Sequence, residues 1–170
     1  LHSLLEYDDN DIKIGLIGIS NWNIDASKMN RCMVLSISDL GKDDLLNTSE
    51  IISKAIDYPL ANKYKSIIDD LALSYYYYME SVNNDKTKKN FHGKRDFYNL
   101  IICFMRELVK NKEILDGENK NEDKILINSA MKSLSRNFGG FSDSIDNIIA
   151  EFKKIHKNCD DNYYKYNVLE

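Results

Sequence analysis

Three polar side chains stand where the pattern around them allows chemistry. Asn21 closes the run Ile12-Lys13-Ile14-Gly15-Leu16-Ile17-Gly18-Ile19-Ser20-Asn21. A short, β-branched, nearly all-apolar run reads as a strand buried on both faces. Ligands of open α/β sheets bind beyond the C-terminal ends of such strands. An amide at that edge can orient a water or a phosphate oxygen, or it can simply be a turn Asn that caps the loop. Arg31 follows Met29-Asn30 and precedes the apolar run Cys32-Met33-Val34-Leu35-Ser36-Ile37-Ser38. A guanidinium there is either an ordinary surface charge or a group aimed at an anion across an interface. Arg95 lies in Phe91-His92-Gly93-Lys94-Arg95-Asp96-Phe97, which reads as a helix start with Asp96 complementing the dipole. Arg95 is then either a plain first-turn residue or a phosphate ligand.

Other chemistries lack the residues they need. His2, His92 and His156 are isolated, with no second His or Cys at ligand spacing, so no metal is assigned. Cys32, Cys103 and Cys159 are far apart and form no CxxC pair, which disfavours both zinc and disulfides. Cys32 and Cys103 sit in apolar runs and are expected in the core. A reducing, cytoplasmic setting is expected. Tyr75-Tyr76-Tyr77-Tyr78 would point in four directions on a helix, so one or two belong to the core and the rest to the surface. No Ser/His/Asp or Cys/His constellation with supporting context occurs, and no GxGxxG or GxxxxGK[ST] loop.

Behind these residues, two strands are expected, over about 12–20 and 32–38, joined through a helical turn at Asp25-Ala26-Ser27-Lys28-Met29-Asn30-Arg31. The apolar period changes near residue 40, and everything after it reads as helix. Helices are expected over 42–56, 60–82, 94–110, 122–137 and 143–157. Tyr58-Pro59 breaks the first run, and Gly139-Gly140 stops the fourth. Residues 83–90 and 111–121 read as solvated loops and 158–170 as a loosely held tail. Two parallel strands are not a domain by themselves. With an opening Leu1-His2-Ser3 and no initiator Met, the chain is expected to be a piece of something larger.

Composition sets outer limits. A chain of 170 residues with 43% hydrophobic and 29% charged side chains has enough apolar material for a packed core. The net charge of −4 argues against nucleic acid as a partner. No apolar run approaches the roughly 18 residues a membrane span needs.

The string Ile17-Gly18-Ile19-Ser20-Asn21-Trp22, followed by Asp25 to Arg31, resembles the second half of an AAA+ ATPase core. Within that class the chain is similar to the mysterin-type giant ring-finger ubiquitin ligases, which carry a dynein-like AAA+ core. The similarity rests on Ile19-Ser20-Asn21-Trp22, Lys28-Met29-Asn30-Arg31, Gly93-Lys94-Arg95-Asp96-Phe97-Tyr98 and Arg136-Asn137-Phe138. It departs from the AAA+ pattern in having Asn30-Arg31 where Gly-Arg is usual, and in lacking Walker A and Walker B segments.

The resemblance implies an α/β fragment that is mostly α, with two C-terminal strands of a parallel AAA+ sheet followed by a helical lid bundle. Residues 1–40 would end the large subdomain and carry the sensor 1 strand and finger segment. Residues 41–157 would form the lid, and 158–170 a linker or tail. It further implies ATP and Mg2+ as cofactors of the intact module, and none for the fragment. Asn21 and Arg31 would be catalytic and Arg95 cofactor-binding. Neighbouring AAA+ modules of the same chain would be partners, with ubiquitin machinery engaged through regions outside this sequence. The competing expectation is a helical scaffold with AAA+ shape and no nucleotide role.

Overall fold

The structure is a computed structural model that describes residues 17–20, 25–30, 33–35, 41–85, 91–117, 121–140 and 143–156. The chain divides into two units, Leu1–Ser38 and Asp39–Glu170.

In the first unit the described residues form one short helix, α1 (Ala26–Met29). Asp25 starts it by accepting the Ser27 N–H on its carboxylate at 3.1 Å, and its carbonyl accepts the Met29 N–H at 3.0 Å. The expected parallel strands are not found: none of the described residues is in a strand, and 78% of them are helical. Residues 17–20 and 33–35 have no regular structure. Ile17 and Ile19 are 93% and 97% exposed, and Met33 and Leu35 are 93% and 87% exposed. The α/β assignment is therefore corrected. A strand apolar on both faces persists only with neighbouring backbone to bond and layers to cover it. These stretches have neither among the described residues.

The second unit is a helical bundle. Its elements are α2 (Lys42–Ile56), α3 (Tyr58–Lys63), α4 (Lys65–Asn83), α5 (Lys94–Lys110), α6 (Lys112–Leu115), α7 (Glu122–Asn137) and α8 (Ser144–Ile155). Helix α4 is central and packs on α2, α5 and α8, while α5 also packs on α2 and α7. Helix α2 buries Leu45, Ser49 and Ser53, one leucine and two serines at four-residue spacing on a single face. The core is built from Leu71, Phe97, Leu100, Phe104, Leu108, Leu134, Phe138, Ile148 and Phe152, all fully buried.

Asp57 ends α2 and caps α3. Its carboxylate accepts the Leu60 N–H at 3.0 Å, and Pro59 sits in the first turn, where a missing N–H costs nothing. Lys112 bonds the same carboxylate at 2.7 Å and, with the Leu60 N–H, holds it below the usual carboxylate range. The single helix expected over 60–82 is divided at Tyr64. The loop expected over 111–121 contains α6, with Leu115 buried. Cys103, expected in the core, is only half-buried. Of the four tyrosines, Tyr75 and Tyr78 are buried and Tyr77 is exposed, as their spacing requires. No helix among the described residues is long and apolar enough to cross a membrane.

Candidate functional site

Helix α5 begins at Gly93, whose extended backbone ends the preceding loop. The Gly93 N–H donates to the Asp96 carboxylate at 2.8 Å. The Gly93 carbonyl accepts the Asp96 and Phe97 N–H groups at 2.9 and 3.3 Å. Burial of Phe97, Leu100, Ile101, Phe104, Met105 and Leu108 fixes the rotation of the helix. That rotation turns Arg95, Asn99 and Arg106 outward. Arg95 makes no hydrogen bond or ion pair with the described residues, so its guanidinium is open to an anion at the positive end of a 17-residue helix. Asp96, one residue on, puts a carboxylate on the same turn.

The residue just before this turn carries geometry that its sequence hid. His92, expected as an isolated histidine, is buried. Its Nδ1 lies 2.8 Å from the Tyr78 hydroxyl and its Nε2 3.1 Å from the Gly139 carbonyl oxygen. The rings of Phe91, Phe138 and Tyr78 surround it with centroids at 4.9, 5.2 and 5.7 Å. Burial, reinforced by Asp143 and Asp96, pushes the Tyr78 phenol up to about 12. The sequence separations of 14 and 47 residues made these pairings illegible. The only signal was a His between two aromatic-rich segments at a helix start.

Of the residues marked for chemistry, Asn21 and Arg31 lie outside the described residues, and Arg95 opens α5 as expected. Among the described residues no group of three or more His, Cys, Asp or Glu side chains could hold a metal ion.

Residues 1–44 match the family described as the RNF213 AAA domain, so the chain carries part of an AAA domain. The zebrafish (Danio rerio) E3 ubiquitin-protein ligase rnf213-beta is 32% identical over 165 residues, which is 93% of this chain and 3% of that protein. This AAA segment is of the RNF213 type. Mouse RNF213 is 35% identical over 107 residues, 59% of this chain and 2% of that protein. Human RNF213 is 32% identical over 107 residues, again 59% of this chain and 2% of that protein. The chain thus spans only a few hundredths of the length of these relatives. No solved structure matches it.

Proposed function

We propose that this chain is a sensor-and-lid segment of an ATP-binding AAA module in an RNF213-like ubiquitin ligase acting in the cytoplasm. The observation that carries the reading is the match of residues 1–44 to the RNF213 AAA domain, a stretch that includes Asn21 and Arg31. In this reading Asn21 orients the attacking water. Arg31 reaches toward a neighbouring module and stabilises charge on the transferred phosphoryl group. Arg95 contacts phosphate oxygens from the lid; its exposed place on the first turn of α5 fits a phosphate, and the dipole there favours one. Bound ATP with Mg2+ supplies the phosphoanhydride whose hydrolysis drives the module, and magnesium is assigned to other parts of it. Residues 1–40 serve as the sensor and finger segment, 41–157 as the lid and 158–170 as a linker. Ubiquitin transfer, named for the relatives, belongs to other regions of such a protein.

The test is Arg31→Ala in the longer RNF213-like protein. Turnover should fall at least about 100-fold, while nucleotide affinity at the adjacent site changes only a few-fold, because a finger acts on transition-state charge. Unchanged turnover would make Arg31 a surface charge. Arg95→Ala should instead weaken nucleotide binding.

A second reading is favoured by one observation. The Asp96 carboxylate already caps the start of α5 and brings a negative charge to the place a phosphate would take. If Arg95→Ala leaves nucleotide affinity unchanged, the helical unit is a scaffold that serves ring architecture alone.

A further inference from the structure

We infer that His92 is a pin that locks the first turn of α5 to α4 and to the end of α7, and is the positioning residue for Arg95. Both ring nitrogens are used. A carbonyl oxygen only accepts, so Nε2 carries the proton and donates to Gly139. In a neutral imidazole the other nitrogen is an acceptor, so Nδ1 accepts the Tyr78 O–H across the 2.8 Å between them. Tyr78 lies on α4, and Gly139 follows the last turn of α7, so one imidazole joins three helices.

A second stitch runs beside the first. Gly140 has a positive φ of 108°, and a Cβ there would stand 2.6 Å from the Phe91 ring. The ring of the residue before His92 thus lies directly on the backbone of the residue after Gly139. The Gly139-Gly140 pair supplies a carbonyl for the histidine and room for the phenylalanine.

The pin acts on Arg95 because of what the first turn lacks. Lys94, Arg95 and Asp96 are not buried, and the first core anchor of α5 is Phe97. Helix ends fray where apolar contacts are few. His92 and Phe97 are buried at the two ends of this stretch of chain, so Gly93 to Asp96 are held from both ends. Only Gly93 and Lys94 stand between the buried ring and Arg95, too short a tether to absorb movement. The turn that carries Arg95 and the end of α7 therefore move as one body.

The effect on phosphate contact rests on the role proposed above for Arg95; the pin itself is measurable without nucleotide, so the two can fail separately. Imidazole nitrogen NMR of the whole 170-residue chain should show His92 as the neutral Nε2–H tautomer; an Nδ1–H tautomer overturns the pin. Hydrogen exchange then locates its effect. In Tyr78→Phe and in His92→Asn, the Asp96 and Phe97 amides should exchange about tenfold faster, the factor one lost hydrogen bond gives. The Phe104 and Leu108 amides should change much less. An equal rise along all of α5 would make His92 an ordinary core residue and sink the proposal. Tyr78→Phe keeps the ring and its packing, so a misfolded His92 variant leaves the test intact.

Discussion

Tyr78 carries a hydroxyl into the core, and the cost of burying its anion sets how this protein meets alkali. The phenol is pushed up to about 12 by burial first and by Asp143 and Asp96 next. An unfolded tyrosine titrates near ~10. Between those values the folded chain keeps a proton that the unfolded chain has lost. Stability from this group is therefore complete below about pH 10 and drains away as pH rises through about 12. Two pKa units correspond to roughly 2–3 kcal/mol. Urea midpoints measured from pH 8 to 12 should fall in the native chain, and the fall should be shallower in Tyr78→Phe. That variant also leaves Nδ1 of His92 bare, so it should start about 1–2 kcal/mol lower at neutral pH. Parallel curves for the two proteins would show that Tyr78 titrates normally. Tyr64 and Tyr76 are shifted upward too, by burial and by Glu80 respectively, so some slope persists in the variant.

Helices are the scale at which this sequence is most legible. Apolar residues at three- and four-residue spacing mark α2, α5, α7 and α8 close to their observed limits, because each buries one face. The same rule misleads where burial is continuous. Leu60, Tyr64, Ile67 and Ile68 keep helical spacing across the break at Tyr64, so nothing in the pattern separates α3 from α4. It also fails for α6, whose buried Leu115 sits among charges. The runs at 17–19 and 33–35 have strand composition, but a strand is a property of its partners and none is present among the described residues. The site divides the same way. Arg95 is legible because helix-start chemistry is local, whereas the His92 pin depends on groups brought from other helices.

Helix α2 turns two serines toward its neighbours. Ser49 and Ser53 are both fully buried. The Ser49 hydroxyl donates to the Leu46 carbonyl at 2.8 Å, whereas the Ser53 hydroxyl has no partner among the described residues. A buried unpaired hydroxyl costs free energy, and alanine also favours the helix. Ser53→Ala should therefore stabilise the protein by about 1 kcal/mol, while Ser49→Ala should be near neutral. Thermal melts of the two variants decide it, and a Ser53→Ala protein that melts lower would mean the hydroxyl is satisfied.

At the scale of the molecule, every buried core residue described lies in the unit Asp39–Glu170, while the match to the RNF213 AAA domain covers residues 1–44. The family signature and the stable core therefore occupy largely different parts of the chain. That division bears on what the chain does by itself. In P-loop ATPases, phosphate affinity comes mainly from a glycine-rich loop, whose N–H groups and lysine hold the phosphates. Magnesium is held by the loop Ser/Thr and a Walker B acid. No GxxxxGK[ST] occurs in these 170 residues. Arg95 offers one exposed guanidinium, and Asp96 beside it opposes an anion. A single charge–charge contact in water is worth about 1 kcal/mol. Micromolar binding needs about 8 kcal/mol, so Arg95 falls far short. Calorimetric titration of the 170-residue chain with Mg-ATP should show no micromolar binding and no turnover. Micromolar heat from this chain would mean that its nucleotide contacts are self-sufficient, and the assignment of Asn21, Arg31 and Arg95 as accessories to a site completed elsewhere would fall with it.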